Sequence, residues 1–262
     1  MNLTFALVGD VHGAMHAMVK ELRAREKKIG RTFDFVAQVG DFEPHRHDED
    51  LRSMAAPAKY KEIGDFPDFV KGWGTFPWPV YFIGGNHEPY GWLEQHPHGA
   101  ELIRHCVYLG RVGKVEIQES LMLAGLSGVF VPELYTTKRP PLESFHSVSN
   151  KSFIGYTEDD VDRILEFPRP DILLLHEWPE GLTQDRKYAH RSAGSAQARL
   201  IIELLRPRLV ACGHMHRGHH DIWTHDDGST TELVCLAHIR ARTEAVAAYQ
   251  WDGTTMTRLD LL

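Results

Sequence analysis

Five short apolar segments in this chain each lead into a residue that can bind a metal or carry a proton. No other feature narrows the possible folds as far. The segments are 3–9 (LTFALVG), 33–39 (FDFVAQV), 80–84 (VYFIG), 171–175 (DILLL) and 208–212 (RLVAC), and they read as buried strands. They lead in turn into Gly9-Asp10-Val11-His12-Gly13, Gly40-Asp41-Phe42-Glu43, Gly84-Gly85-Asn86-His87-Glu88, His176-Glu177 and Gly213-His214-Met215-His216. Between the first two, residues 14–28 carry Met15, Met18, Val19 and Leu22 at helical spacing. Strand, helix and strand in that order predict a parallel pair. Ligand sites in open α/β sheets form beyond the carboxyl ends of strands, so five such ends can surround one crevice. Glycines beside the candidate ligands let the backbone turn sharply there.

The rest of the chain reads as ordinary globular sequence. Residues 48–72 suggest one or two polar helices, 106–130 short strands, and 131–156 a long surface loop rich in Pro, Ser, Lys and Arg. Thr157 is placed to cap a helix over 157–166, a second helix is expected over 194–206, and strands over 231–236 and 245–260. A length of 262 residues, 42% hydrophobic, suits one core, and no repeat or linker interrupts it. The expectation is a single domain, 1–262, with a loop-rich insertion at about 128–156.

No apolar run is long enough to span a bilayer, and the N-terminus lacks a signal-peptide pattern. A cytoplasmic protein with no membrane association and no obligate protein partner is expected. Cys106, Cys212 and Cys235 show no CxxC spacing, which argues against a disulfide framework or a thiolate zinc site. The net charge of −7 argues against a generic nucleic-acid binder. Holding a polyanion would need a local basic patch or metals.

The residue types at the strand ends suit phosphoester hydrolysis. Two divalent cations can cover the substrate's charge, activate water and hold the attacking and leaving oxygens. Carboxylate, imidazole and amide ligands favour Mn, Fe, Zn or Ni over Cu(I). A lone Gly-Asp is commonly a turn, and the bland alternative has each Asp capping a helix and each His satisfied in the core. Five blocks in order, each after an apolar strand, favour the metal reading.

The wording GDVHG, GDFE, GNHE, a lone His and GHMH resembles the calcineurin-like metallophosphoesterases over most of the chain. That resemblance implies an α/β fold, a four-layer αββα sandwich of two mixed β-sheets flanked by helices. It implies that Asp10, His12 and His216 bind one metal, that Asn86, His176 and His214 bind a second, and that Asp41 bridges them. His87 matches the family's non-ligand histidine, which donates a proton to the leaving oxygen or stabilises transition-state charge. The implied nucleophile is a hydroxide bridging the metals.

Segments between the blocks are closer to the RNA lariat debranching enzymes. These are DLRSMAAPAKY at 50–60, YFIGGNHE at 81–88, VYLG at 107–110, LSGVF at 126–130 and LHEWP at 175–179. Hydrolysis of the 2'-5' phosphodiester of branched RNA is the implied reaction. A broader phosphatase or phosphodiesterase acting on nucleotides or phosphoproteins is the alternative. The debranching enzymes carry Cys at the position of Asp10 and have a longer C-terminal region, so the resemblance does not extend to RNA contacts made there. Residues 128–156 align with a loop that the family uses near its substrate. There Tyr135, Lys138, Arg139, His146 and Lys151 either grip phosphates and stack on a base, or belong to a solvated, flexible loop. His45 and His47 read as solvated charge, and His219, His220 and His225 as neighbours of the ligands or surface residues. Glu88 and Glu177 either orient a ligand imidazole or face solvent.

Overall fold

Alternation along the first strand sets the layering. Leu3, Phe5 and Leu7 point one way and meet Leu121, Leu123, Ile172, Leu174, Leu209 and Ala211 in a buried cluster. Ala6 and Val8 point the other way, onto Met15, Met18 and Leu22. Two sheets therefore share one apolar interface, and each keeps an outer face for helices. A computed structural model describes residues 2–118, 121–181 and 194–260, without the side chains of His146, Arg242 and Thr243.

The strands are β1 (Leu3–Val8), β2 (Phe35–Gln38), β3 (Val80–Phe82), β4 (Ala100–Ile103), β5 (Cys106–Tyr108), β6 (Val112–Ile117), β7 (Leu121–Leu126), β8 (Ile172–Leu175), β9 (Leu209–Cys212), β10 (His219–Thr224), β11 (Thr230–Cys235), β12 (Val246–Trp251) and β13 (Met256–Arg258). One sheet has the order β13-β12-β1-β2-β3-β5-β4 and the other β10-β11-β9-β8-β7-β6. Both are mixed. The pairs β1–β2, β2–β3 and β8–β9 are parallel, while β1–β12 and β6–β7 are antiparallel.

Helix Met15–Ile29 covers the first sheet and ends at Gly30 in a left-handed turn. Helices Glu158–Leu165 and Ala196–Leu205 cover the second through Val161, Ile164, Ile201 and Ile202. The Thr157 cap forms as expected, as a reciprocal capping box with Asp160, and Ser195 caps the last helix. The result is the expected αββα sandwich. Among the described residues, no helix is long and apolar enough to cross a membrane.

Three local expectations change. Residues 48–72 hold only the 3-10 turns Asp50–Ser53 and Ala58–Tyr60 and the short helix Phe66–Val70, because Pro57, Gly64 and Pro67 interrupt any longer helix. β10 was not expected, since HHDIWT lacks the alternation of a half-buried strand; it lies at a sheet edge, mostly exposed. Residues 128–156 do not form a free loop. They fold into the short turns Pro132–Tyr135, Leu142–His146 and Lys151–Ile154, closed at the base by a Val129–Gly155 bridge. Phe153 is fully buried and stacks on Phe145 at 3.6 Å between centroids.

Arg111 anchors that segment to the first sheet. Its buried guanidinium pairs with Glu94, donates to the carbonyls of Phe153 (2.8 Å) and Ser127 (3.3 Å), and lies over the Tyr90 ring. Removing one partner of a buried ion pair strands the other and costs about 3–5 kcal/mol. Arg111→Met should lower unfolding stability by that amount in a denaturant titration. A loss under about 1 kcal/mol would show that Glu94 and the two carbonyls find other partners.

Candidate metal centre

All five strand ends meet at one edge of the sandwich. β1, β2 and β3 deliver Asp10 with His12, Asp41, and Asn86 with His87 from one sheet, while β8 and β9 deliver His176 and His214 with His216 from the other. Hydrogen bonds tie the sheets together at this point. Nδ1 of His176 donates to the Val39 carbonyl at 2.9 Å, and the His214 N–H donates to both oxygens of Asp10 at 3.0 and 3.1 Å.

The turns after the strands are strained. His12, Asp41, Glu43, His214 and His216 have φ of 46°, 50°, 58°, 66° and 52°. A left-handed backbone costs a non-glycine residue about 1–2 kcal/mol. Strain gathered on candidate ligands points to a function that requires those orientations. Close approach also explains two glycines. A Cβ on Gly85 would lie 2.2 Å from Asp41 Oδ1, and one on Gly213 2.1 Å from Asp10 Oδ1.

Asp41 is the shared member. Its Oδ2 lies 3.9 Å from His12 Nε2, and its Oδ1 lies 3.5 Å from His176 Nε2 while accepting the His87 N–H at 2.8 Å. Donor atoms of Asp10, His12, Asp41 and His216 lie within 4.8 Å of one another, and so do those of Asp41, His176 and His214. Asn86 Oδ1 stands 3.2 Å from His176 Nε2, beside the second group. The ring tautomers suit a cation. His12 uses Nδ1 toward Glu43 at 2.7 Å and His176 uses Nδ1 toward Val39, so both Nε2 atoms face the cluster. Carboxylate, imidazole and amide donors converging in this way fit divalent metal ions.

The electrostatics agree with that fit. Burial works against a charged His12, yet the Glu43 hydrogen bond and the charges of Asp41, Glu43 and Asp10 raise its pKa to about 9. Burial likewise opposes charge on His176, but the charge and hydrogen bond of Asp41 raise it to about 10 and hold Asp41 itself well below the usual carboxylate range. Burial and the nearby His176 push His214 down to about 4. A concentration of negative charge that draws protons onto imidazoles will draw cations as well.

His87 sits at the rim, a quarter exposed, with Nδ1 3.5 Å from Glu43 Oε1. Burial opposes its protonation, but the Glu43 hydrogen bond and the Asp41 charge raise its pKa. Glu43 thus touches both a candidate ligand and the candidate proton donor, a role the sequence reading missed. Its place two residues after Asp41 was the available signal. His238 was also missed, and its ring stands 5.2 Å from that of His216. No sequence feature marks it, because the turn after β11 brings it in.

Other expectations resolve differently. Glu88 is buried and accepts the N–H groups of Phe42, Glu43 and Gly85, so it holds two ligand turns rather than an imidazole; burial and the Asp41 charge raise its pKa to about 7. Glu177 accepts from the Phe130 N–H and the Tyr156 hydroxyl. His45 is fully buried with neither ring nitrogen bonded, not solvated as expected, whereas His47 is exposed. His220 pairs with Glu232 and His225 with Thr231, while His219 rests against Trp178. Within the insertion, Arg139 is paired with Asp160 at 2.5 Å, and Tyr135 packs edge-on against Phe130. Lys138 and Lys151 are exposed, and the His146 side chain lies outside the described residues.

Comparison with known proteins agrees with this geometry. The sequence model of the calcineurin-like phosphoesterases matches residues 3–218. Relatives named lariat debranching enzyme include one from Entamoeba histolytica, 30% identical over 82% of this chain and 64% of its own length. One from Arabidopsis thaliana is 27% identical over 89% of this chain and 60% of its own, and one from Homo sapiens 26% identical over 89% and 47%. The chain therefore spans between 47% and 64% of the length of these relatives. A crystal structure aligned over 99% of this chain and 100% of its own, with TM-score 0.60 and 14% identity, shares the fold. The matched span contains every strand-end donor from Asp10 to His216, and the chain belongs to the calcineurin-like phosphoesterase family.

Proposed function

We propose that this chain is a phosphodiesterase that holds two divalent cations and hydrolyses the 2'-5' phosphodiester of branched RNA. The observation that carries the reading is the Asp41 carboxylate, with one oxygen toward His12 and the other toward His176. One cation is assigned to Asp10, His12, Asp41 and His216, and the other to Asp41, Asn86, His176 and His214. The RNA substrate rests on the relatives named lariat debranching enzyme, which align over 80–89% of this chain in plants, fish and humans.

When bound, the cations neutralise phosphate charge and activate water for in-line attack. The protein supplies the rest. Glu43 fixes the His12 ring and leaves its Nε2 aimed inward. Glu88 holds the turns that carry Asp41 and Asn86. His87, whose protonated form Glu43 favours, is placed to deliver a proton to the oxygen that leaves phosphorus. Its position at the rim suits that step, because the leaving nucleoside must face solvent.

The protein supplied with Mn or Zn should cleave a 2'-5' branched oligonucleotide and leave a linear 3'-5' control intact. His87→Ala should lower kcat on the branch by about 100-fold or more, while barely affecting a nitrophenyl phosphodiester whose leaving group needs no proton. Equal cleavage of branch and linear control would favour the broader phosphodiesterase.

Protons and cations compete for His12 and His176. Because both pKa values are raised, to about 9 and about 10, their protonated forms stabilise the fold below pH 6.5, and that contribution fades as pH rises through 9 to 10. Cation binding has the opposite sign, since each proton must leave first. Titration calorimetry in buffers of different ionisation enthalpy should show one to two protons released per protein at pH 7, and affinity rising toward pH 9. Uptake without proton release would place the cations elsewhere.

A further inference from the structure

A chain with net charge −7 must hold RNA through a local surface, and one surface stands out. Residues 15–31 contain Lys20, Arg23, Arg25, Lys27, Lys28 and Arg31 against only Glu21 and Glu26. Both glutamates are committed. Glu21 pairs with Arg25, and buried Glu26 accepts from the Phe33 N–H, the Trp78 indole and Arg23. His16, Lys20, Arg23 and Lys27 are exposed at helical spacing along one face, and exposed Arg31 follows the helix end. From His16 to Lys27 the stripe is about 16 Å long. The helix starts three residues after His12, and beyond its middle Arg23, Lys27 and Arg31, together with Glu26 and with Asp34, which accepts the Thr4 N–H, line an open depression of about 700 Å³.

A second observation lies beside it. Asp65 accepts the N–H groups of Met15 and His16, and Gly64 packs on Gly13, so residues 59–73 flank the start of the helix. That segment exposes two aromatic rings, Tyr60 at 53% and Trp73 at 75%. Each has a lysine ammonium over it, Lys59 at 4.6 Å and Lys71 at 4.7 Å. The Trp73 backbone N–H donates to the Asp68 carbonyl, and the Asp68 side chain pairs with His16, which joins the segment carrying the ring to the start of the basic stripe. Exposed rings interleaved with cations are what a single-stranded nucleic acid needs. Bases stack on the free faces while the ammonium groups meet phosphates.

We propose that the outward face of helix Met15–Ile29, with Tyr60 and Trp73, is a track for a single-stranded RNA arm leaving the metal centre. The proposal rests on the branched-RNA reading and extends it from the reacting bond to the flanking strand. An acidic protein would match the stripe but would leave the lysine-capped rings without a use.

The test compares wild type with Lys20→Gln/Lys27→Gln/Lys71→Gln and with Trp73→Ala. All four side chains are exposed and stand outside the proposed metal ligands, so unfolding midpoints should match wild type. Two branched RNAs are used, with arms of about two and about twelve nucleotides, and a linear twelve-nucleotide RNA serves for anisotropy binding. On the long-armed substrate KM should rise about tenfold in the triple variant and at least about fivefold in Trp73→Ala, with kcat unchanged. The slope of log KM against log salt should fall by about two, from about 0.7 per lost cation. The short-armed substrate should not distinguish the proteins, and the linear RNA should bind the variants more weakly. Equal affinity of wild type and variants for linear and long-armed RNA would overturn the track and leave the branched-RNA reading intact. If no protein cleaves the short-armed substrate, the branched-RNA reading fails. Weakened binding of linear RNA by the variants would still support the track.

Discussion

The buried carboxylate of Asp41 is the group on which the rest of the centre depends. Burial would normally make its charge costly, yet it remains ionised because His12 and His176 stand on either side. Those two histidines come from different sheets, so the electrostatic balance of one side chain requires the sheets to converge. The Val39–His176 and Asp10–His214 hydrogen bonds hold that convergence in place, while Glu88 clamps together the neighbouring turns after β2 and β3. In the proposed function, cations would take the place of the protons on these imidazoles and use the same negative charge.

The fold serves this arrangement by placing parallel strands side by side in each sheet. Their carboxyl ends emerge together, and short turns there aim side chains inward. The turns carry left-handed residues that a relaxed loop would avoid, and the stability lost there is offset by the apolar interface between the sheets. Residues 128–156 join the same edge, where the Gly128 N–H donates to the Gly84 carbonyl and the Phe130 N–H to Glu177. Arg111 and Phe153 hold it down, so whatever it contacts is met by an ordered surface.

Much of this was legible in the sequence. The five strand-end blocks gave the side chains that the fold brings together as candidate ligands, because apolar runs and the residues after them are local signals. Thr157 marked a helix start for the same reason. What could not be read depended on contacts between distant residues. Glu88 proved to be a clamp on neighbouring turns, which only the juxtaposition of 41–43 with 85–88 reveals. His238 reaches His216 by way of a turn that carries no motif. The left-handed backbone falls on His12 and Asp41 as well as on the glycines beside them, Gly13 and Gly40. β10 escaped notice because an exposed edge strand has no apolar face to betray it.

Family membership fixes the class of chemistry, while the choice of substrate depends on surfaces beyond the ligands. Everything at the centre depends on the arrangement around Asp41. Its most direct test is an anomalous diffraction map from crystals soaked in Mn. Two peaks flanking the Asp41 carboxylate, about 3.5–4 Å apart, are the predicted result. A single peak, or peaks that leave Asp41 without a metal contact, would contradict it.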